Sequence, residues 1–246
     1  DVDGTLTDNE QNGHRVAFNR AFERAGLDWH WDEATYDRLL EVFGGKERIR
    51  YFIEDFLDGF EPPGDLDRFI RELHAEKTRQ YVALLESGAL PLRPGVARLL
   101  REAHAAGIRL AVASTTTLEN ATTLLSQTLG EESLAWFSAI ACGDVARNKK
   151  PAPDIYVYAL KELNLSAENC LAVEDTESGL ESARAAGLKT VVTINPTTRN
   201  QDFAGAALVV DQLGEPGQPC HFLQGNGHGA KWVDLDLLRK VHAGTG

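Results

Sequence analysis

The amino-acid sequence predicts an α/β protein in which a small all-helical domain is inserted into a Rossmann-like parallel sheet. From Leu92 onward, apolar strand-like runs alternate with helical stretches, and this order implies crossover connections and a parallel sheet. Between Asp8 and about Leu90, by contrast, apolar residues recur only at helical spacing. We therefore predict a core of residues 1–8 and 91–246 and a helical cap domain of residues 9–90. The predicted strands cover residues 109–114, 137–141, 170–174, 190–194 and 207–210.

The inserted segment carries its apolar residues in three groups, and a Pro62-Pro63-Gly64 sequence breaks the helical pattern between the second and the third. Trp29 and Trp31 are interpreted as core aromatics of this domain. The three groups are Val16, Phe18, Ala21 and Phe22; Tyr36, Leu39, Leu40 and Phe43; and Phe69, Ile70, Leu73, Tyr81 and Leu84.

The chain opens with Asp1-Val2-Asp3-Gly4-Thr5, in which two carboxylates stand two residues apart at a predicted strand end. Residues i and i+2 of an extended chain point to one face, and Gly4 allows the backbone to turn beneath them. One carboxylate can attack phosphorus while the other transfers protons. The pattern therefore predicts a phosphoryl-transfer site, although the same letters also fit a solvated turn.

Three further motifs follow predicted strands, and each has a second interpretation. Ser114 ends an apolar run and could hold a phosphoryl oxygen, or it could simply cap a helix. Lys150 precedes Pro151, a residue that suits the first turn of a helix, and could neutralise a phosphate or be a surface charge. Glu174 and Asp175 end a buried-type strand and are typical of metal ligands or of a capped loop. Their common order along the chain favours the catalytic interpretation.

With all four motifs intact, the sequence resembles the haloacid dehalogenase-like (HAD) hydrolase superfamily. The resemblance implies that Asp1 is the nucleophile, that Asp3 is the general acid and base, and that Ser114 and Lys150 hold the phosphate. It also implies a Mg²⁺ ion bound by the carboxylates of Asp1 and Asp175 and by the backbone carbonyl of Asp3, with Glu174 in or beside the coordination sphere. Oxygen ligands suit this hard cation. The helical insert would then cover the carboxyl-end edge of the sheet as a lid.

Composition excludes several other classes of function. The formal net charge of −12 argues against nucleic acid as a partner, because binding a polyanion requires a basic face. No apolar run approaches the length of roughly 18 residues that a membrane span needs. The three cysteines, Cys142, Cys170 and Cys220, include no CxxC pair and indicate a reducing compartment. We expect a soluble cytoplasmic monomer that binds a small anionic substrate.

A nucleophile at a strand end requires that strand, yet no residue precedes Asp1 and the sequence contains no Met. We therefore expect an apolar strand ahead of Asp1 in the natural protein. A targeting peptide could have preceded that strand, in which case the plastid stroma is the alternative location.

The turn Gly44-Gly45-Lys46-Glu47-Arg48 stands out within the insert. Two cations in the first turn of a helix oppose its dipole, and a bound phosphate would resolve the conflict. The alternative is a solvent-exposed basic turn. Likewise, His14 could be a packed linker histidine and Tyr36 a half-buried core tyrosine.

Over nearly its whole length the chain resembles the CbbY-type sugar-phosphate phosphatases, a group that includes xylulose-1,5-bisphosphate phosphatases. This turn and the Leu92-Arg93-Pro94-Gly95 segment are among the motifs that carry the resemblance. That resemblance implies hydrolysis of a ketose bisphosphate through an aspartyl-phosphate. The alternatives are a β-phosphoglucomutase, a dehalogenase and a non-catalytic regulatory module on the same fold. The substrate-binding residues expected from this resemblance are Glu10, His14, Tyr36, Gly44, Gly45, Lys46, Arg48, His74, Lys77 and Thr115. The glycine- and histidine-rich tail, residues 214–246, carries no recognisable motif, and we expect part of it to be mobile.

Overall fold

The structure is a computed structural model that describes residues 1–42 and 44–244. Phe43, which the helical spacing includes, lies outside the described residues. The chain divides into two compact units, Asp1–Asp8 with Pro91–Gly246 and Asn9–Leu90. The first is called the sheet unit below and the second the helical unit.

The regular structure of the helical unit is helical throughout its described residues, as its apolar spacing predicts. Asp32 and Asp65 begin two of the helices by accepting hydrogen bonds from the backbone N–H groups of Thr35 and Arg68. The described elements are a π-helical turn Glu10–Arg15, α1 (Val16–Arg24), α2 (Glu33–Leu39), α3 (Gly45–Phe56) and α4 (Leu66–Glu86).

Aromatic side chains fill the interior of the helical unit. Trp31 is fully buried and meets Phe18 at a centroid distance of 4.5 Å and Phe22 at 4.9 Å. Trp29 contacts Phe22 and Phe52 in edge-to-face geometry. The interpretation of both tryptophans as core residues is confirmed.

The sheet unit alternates helices with strands. Its helices are α5 (Val96–Ala105), α6 (Leu118–Leu129), α7 (Asp154–Leu163), α8 (Glu177–Ala185) and α9 (Leu235–Ala243). Its strands are β1 (Leu110–Ser114), β2 (Phe137–Cys142), β3 (Leu171–Glu174), β4 (Lys189–Thr193), β5 (Leu208–Val210) and β6 (Phe222–Gln224). The predicted parallel α/β class is confirmed.

Strand pairing among the described residues forms two sheets. β1 pairs with β2 in parallel, with Ser114 opposite Cys142, and β3, β4 and β5 pair in parallel in that order. β6 adds an antiparallel edge to β5 that the sequence did not predict. Parallel strands bring their carboxyl ends to one edge, so polar residues that follow different strands become neighbours.

A cavity of about 760 Å³ lies within the sheet unit, between β1 and β3. Most of its lining side chains are apolar, among them Leu99, Val112 and Val173. At one end the amino group of Asp1 donates to the backbone carbonyl of Val173 at 3.0 Å. The expectation of an apolar strand ahead of Asp1 stays a prediction.

The tail contains regular structure within residues 214–244, and the expectation that part of it is mobile stays a prediction. β6 and α9 are formed there, and Val233, Leu237 and Val241 are at most 8% exposed within the core. Leu237 and Val241, four residues apart, lie on one face of α9, and Asp234 caps the helix by accepting from the N–H of Leu237. This pattern was readable from the sequence but was overlooked because glycine-containing segments flank it.

No helix within residues 1–42 and 44–244 combines the length and the apolar character that crossing a bilayer requires.

Candidate active site

The first motif forms a tight turn at the edge of the sheet unit. Gly4 has a φ of +76° and donates its N–H to the carbonyl of Thr7 at 2.9 Å. A Cβ atom at Gly4 would lie 2.1 Å from Oδ2 of Asp175. Two features therefore require glycine at position 4: the left-handed backbone conformation and the close approach of the Asp175 carboxylate.

Lys150 lies between two carboxylates from different motifs. Its Nζ donates to Oδ1 of Asp1 at 2.7 Å and to Oε1 of Glu174 at 2.5 Å, and its side chain is 4% exposed. The surface-charge interpretation of Lys150 is therefore wrong. Because all three groups are buried or nearly so, each charge depends on the others for compensation.

Tyr156 on α7 is a neighbour that the sequence did not single out. Its hydroxyl donates to Oε1 of Glu174, the same oxygen that accepts from Lys150. Burial raises the pKa of Tyr156 well above its usual value, and the Glu174 carboxylate adds to the effect. The sequence could have indicated this residue, because its hydroxyl stands on an otherwise apolar helix face six residues after Lys150.

The pKa of the Glu174 carboxyl is lowered from its ordinary value. Burial alone would raise this pKa, but the ammonium of Lys150 and the hydrogen bonds from Lys150 and Tyr156 outweigh burial. Glu174 is therefore held as a carboxylate at neutral pH.

Pro151 does not lie in the first turn of a helix, so that part of the sequence prediction is wrong. α7 begins three residues later, at Asp154, with Pro153 at the N-cap. The reason is a local turn in which the carboxylate of Asp154 accepts from the backbone and side-chain N–H groups of Asn148. This turn, rather than a helix N-terminus, presents Lys150.

Asp175 is 3% exposed and is held by two polar neighbours. Thr5 donates its hydroxyl to Oδ1 at 3.2 Å, and Asn195 donates its amide N–H to Oδ2 at 2.8 Å. Asn195 was not selected from the sequence. It lies just beyond β4. A polar residue that follows a predicted strand could have been selected as a candidate site residue from the sequence.

The carboxylates of Asp1, Glu174 and Asp175 form a cluster in which one oxygen from each lies within 4.8 Å of the others. Such a concentration of negative charge favours a bound cation, and an all-oxygen donor set fits a hard divalent ion. Oε2 of Glu174 is buried and accepts no hydrogen bond from the described residues, so it has a lone pair available. The residues present therefore fit a divalent metal.

Ser114 is 1% exposed at the carboxyl end of β1. Its Oγ accepts from the N–H of Thr116 at 3.3 Å, whereas the N-cap of α6 is Thr117. The simple helix-cap interpretation of Ser114 is therefore wrong. Thr115 is half-buried beside it.

Cys142 is the last residue of β2 and pairs with Ser114 of β1. Burial and then the negative charge of Asp3 raise the pKa of Cys142 to about 12. The side chain of Asp3 is not part of the three-carboxylate cluster in the described residues.

Arg93 connects the first motif to the sheet through hydrogen bonds. In the sequence it was noted only as part of a family resemblance. Its guanidinium donates to the Gly4 carbonyl at 2.5 Å and pairs with Asp8 at 3.1 Å. Burial lowers its pKa, although the charge of Asp8 partly opposes this. The other carbonyls that accept from this guanidinium belong to Thr193, Ile194 and Asp211.

In the helical unit, Glu10, Tyr36 and Arg48 form one polar cluster. The Tyr36 hydroxyl donates to Glu10 at 2.7 Å and accepts from Arg48 at 2.8 Å. Arg48 is only 8% exposed, and its Nε donates to the Leu39 carbonyl at 3.1 Å. Arg48 is therefore not part of an exposed basic turn, and Tyr36 is a fully buried residue whose hydroxyl is nevertheless hydrogen-bonded.

A second cluster joins His14 and Lys77, whose Nδ1 and Nζ atoms are 2.7 Å apart. The Gly44-Gly45 pair begins α3, and a Cβ at Gly45 would lie 2.5 Å from Nε2 of His74. Lys46 follows and is half-buried.

Comparison with known proteins identifies the family to which the chain belongs. Residues 1–187 match the family model of the haloacid dehalogenase-like hydrolases. The chain is 47% identical to the plasmid protein CbbY of Cupriavidus necator over 247 aligned positions, covering 100% of this chain and 96% of that protein.

Two crystal structures of CbbY from Rhodobacter sphaeroides are also similar. The complex with phosphate is 44% identical with a TM-score of 0.80 and covers 86% of this chain and 91% of that one. A mutant in complex with xylulose-1,5-bisphosphate is 43% identical with a TM-score of 0.81 and covers 88% and 93%. The chain belongs to the HAD-like hydrolase family, and within it the chain is a phosphatase of the CbbY-like kind.

Proposed function

We propose that the protein is a Mg²⁺-dependent phosphatase that hydrolyses a ketose bisphosphate, such as xylulose-1,5-bisphosphate, through an aspartyl-phosphate. The main support for the proposal is that Lys150 Nζ contacts both Asp1 and Glu174, which are two members of the three-carboxylate cluster. Similarity to a CbbY that was crystallised with xylulose-1,5-bisphosphate supports the choice of substrate.

In the first step, a carboxylate oxygen of Asp1 attacks the phosphorus and the ester bond to the sugar oxygen breaks. The sugar oxygen takes a proton from Asp3, so the sugar leaves as an alcohol. The Lys150 ammonium orients the Asp1 carboxylate and offsets the negative charge that gathers as it meets the phosphate. The hydroxyl of Ser114 would donate to a phosphoryl oxygen.

In the second step, Asp3 takes a proton from a water molecule whose oxygen attacks the phosphorus of the aspartyl-phosphate. The bond from phosphorus to Asp1 breaks, so inorganic phosphate leaves and both aspartates return to their starting forms. Asp1, Asp175, the carbonyl of Asp3 and Glu174 would hold the Mg²⁺. When bound, this ion would offset the repulsion between the phosphate and the carboxylates.

Thr5 and Asn195 keep the Asp175 carboxylate in place, and Tyr156 does the same for Glu174. In the helical unit, Lys46, Arg48, His74 and Lys77 supply positive or hydrogen-bonding groups that suit a second phosphate. Glu10 and Tyr36 suit sugar hydroxyls, and the Gly44-Gly45 backbone and Thr115 complete the proposed contacts. The helical unit would thereby act as the cap. We further propose a monomer that works in the cytoplasm or plastid stroma.

A panel of sugar mono- and bisphosphates tests this function in the full-length enzyme. Release of inorganic phosphate should be fastest from a ketose bisphosphate, should stop in excess chelator and should return with Mg²⁺. Undiminished activity in chelator would overturn the metal assignment. Isomerisation of a glucose phosphate without phosphate release would instead favour the mutase, and no turnover of any substrate would favour a regulatory module.

A further inference from the structure

Arg93 places a buried positive charge among four backbone carbonyls of the sheet unit. Its side chain is 5% exposed, and each of its two Nη nitrogens donates to two carbonyls. Its Nε lies 3.1 Å from a carboxylate oxygen of Asp8, so every nitrogen of the guanidinium has a partner. The four carbonyls belong to Gly4 at 2.5 Å, Thr193 at 3.0 Å, Asp211 at 2.9 Å and Ile194.

Two of these carbonyls stand immediately ahead of residues that bind Asp175. The Gly4 carbonyl belongs to the peptide bond that leads into Thr5, whose hydroxyl donates to Oδ1 of Asp175 at 3.2 Å. The Ile194 carbonyl belongs to the peptide bond that leads into Asn195, whose amide donates to Oδ2 of Asp175 at 2.8 Å. One guanidinium therefore holds the backbone next to a donor for each oxygen of this carboxylate.

The guanidinium is a rigid connector between these two peptide bonds. Its nitrogens lie in one plane at fixed distances, so the carbonyls of Gly4 and Ile194 are held at a fixed separation. A lysine ammonium is a point charge on a flexible stem and has three N–H groups, whereas arginine has five. A lysine at position 93 could therefore keep the charge but not all of the carbonyl contacts.

Asn195 is oriented so that its amide N–H groups face the carboxylate. Its side-chain oxygen accepts from the backbone N–H groups of Thr197 at 3.0 Å and Thr198 at 3.2 Å. The amide nitrogen is thereby directed toward Asp175, and it also lies 3.4 Å from the Gly4 carbonyl. Because Asn195 is only 7% exposed, water does not readily replace these contacts when its backbone moves.

Arg93 also contacts the first motif through its own backbone. Its N–H donates to the Leu6 carbonyl at 2.8 Å, so residues 4, 6 and 8 each contact Arg93. The Asp8 side chain is 53% exposed, so water screens its ion pair with the guanidinium. The contacts to the carbonyls therefore contribute more to the position of the turn than the ion pair does.

We propose that Arg93 is a positioning residue for Asp175. By fixing the backbone ahead of Thr5 and Asn195, it holds both donors to the Asp175 carboxylate and thereby keeps the two carboxylate oxygens in one orientation. The consequence for metal binding rests on the proposed function, in which Asp175 is a ligand of Mg²⁺. The structural part, the action of Arg93 on Asn195 and Asp175, does not depend on the metal or on the substrate.

Arg98 provides a matched control, because it is a second buried arginine that binds carbonyls of the sheet unit. Its side chain is 15% exposed, and its Nη2 donates to the carbonyls of Gly214 at 2.8 Å and Val233 at 2.9 Å. Its Nε lies 3.3 Å from Glu215. None of these partners adjoins Thr5 or Asn195, so Arg98→Lys should affect stability without affecting Asp175.

The first test is proton–nitrogen NMR of the Asn195 side-chain amide in the full-length protein, measured in chelator and assigned by comparison with Asn195→Ala. In Arg93→Lys this amide signal should shift, and its hydrogens should exchange with water at least about tenfold faster. In Arg98→Lys the signal and its exchange should stay as in the wild type. An unchanged Asn195 signal in Arg93→Lys would overturn the proposal.

A double-mutant cycle measures the same connection as a change in stability. Urea unfolding in chelator is compared for Arg93→Lys, Asn195→Ala and the double variant. Because Arg93 acts through Asn195, the combined effect on the unfolding equilibrium constant should fall short of the product of the single effects by about threefold or more. The corresponding cycle with Arg98→Lys should be multiplicative. Multiplicative effects for Arg93 would contradict the positioning role.

The third test is calorimetric titration with Mg²⁺ alone, without substrate. Changes next to metal ligands typically weaken metal binding ten- to a hundredfold, and Arg93 acts one residue further away, so Arg93→Lys should weaken Mg²⁺ binding by about three- to tenfold. Asp8→Asn removes the ion pair but keeps the four carbonyl contacts, and it should change Mg²⁺ binding less than about twofold. If Asp8→Asn weakens binding as much as Arg93→Lys does, charge rather than the carbonyl contacts is responsible and the proposal fails.

The reverse measurement needs no change at Arg93 and covers the case that Arg93→Lys does not fold. Coupling between two groups is reciprocal, so Asn195→Ala should shift the guanidinium N–H signals of Arg93 and leave those of Arg98 in place. Unchanged Arg93 signals would overturn the proposal. If the wild type binds no Mg²⁺, the metal assignment of the proposed function fails, whereas the amide and guanidinium spectra still decide whether Arg93 positions Asp175.

Discussion

The two groups of polar residues are held in place in different ways. In the sheet unit, Glu174 and Ser114 are the last residues of β3 and β1, so the backbone itself carries them to the edge of the sheet. In the helical unit, Arg48 and Lys77 lie within helices, and their charged ends are positioned by other side chains and by one carbonyl. Changes in the first group should therefore affect chemistry on every substrate, whereas changes in the second should affect the choice between substrates.

The largest expected effect is that of Asp1→Asn. The change removes the nucleophile and one member of the carboxylate cluster at nearly constant volume, so phosphate release should fall by more than about a thousandfold on every substrate. Steady-state rates on a ketose bisphosphate and on nitrophenyl phosphate check this, with the exposed Asp236→Asn as control. A loss of less than tenfold would rule out the covalent mechanism.

Lys150→Met should reduce both activity and stability. Without the ammonium, Asp1 and the buried Glu174 face each other uncompensated, so the free energy of unfolding in chelator should fall by about 3–5 kcal/mol. Added Mg²⁺ should recover part of this loss, because an ion that binds only the folded state stabilises it.

Urea unfolding with and without Mg²⁺ measures these changes, and turnover should fall by at least about a hundredfold. The neighbouring Lys149→Met is the matched control, since Lys149 pairs with the exposed Asp144. If Mg²⁺ leaves the unfolding of both variants unchanged, the carboxylate cluster is not the metal site.

Lys46→Ala tests whether a residue of the helical unit affects the choice between substrates. If Lys46 binds the second phosphate, kcat/KM should fall about ten- to a hundredfold on a ketose bisphosphate and little on nitrophenyl phosphate. Arg50→Ala on the same helix is the control, because Arg50 pairs only with the exposed Glu54 and Asp67 among the described contacts. Arg48→Ala is a less specific probe, since it also breaks the buried cluster with Tyr36. Equal losses on both substrates at fixed ionic strength would contradict a role in specificity.

Tyr156→Phe should have the smallest effect and the most informative pH dependence. The pKa of Glu174 is held below its ordinary value of 4.5, so its contribution to stability is present above that value and is lost as pH falls through the lowered pKa. Removing one hydrogen bond that lowers this pKa should move the loss of stability to higher pH.

Urea midpoints measured in chelator between about pH 3 and pH 7 test this, with Tyr158→Phe on the same helix as control. Turnover at neutral pH should fall only several-fold. Identical pH profiles for the two variants would mean that Tyr156 does not control the charge of Glu174.

Much of the fold was readable because periodicity is a local property. The helical pattern of residues 9–90 and the strands that end at Ser114 and Glu174 follow from spacing alone. The antiparallel β6 and the helix α9 were missed, since the short apolar pattern of Val233, Leu237 and Val241 lies between glycine-containing segments and the burial of these residues depends on strands elsewhere. Lys150 was predicted as a charge at a helix entrance, but Asp154 binds Asn148 and delays the helix, a competition between contacts that spacing does not reveal.

The sequence by itself determined which residues could perform chemistry and in what order they follow strands, because a strand end and a motif are both properties of short segments. Only the tertiary structure decided which of them meet. Arg93, Asn195 and Tyr156 became part of the candidate site because the parallel ladder and its helices bring residues far apart in sequence within hydrogen-bonding distance.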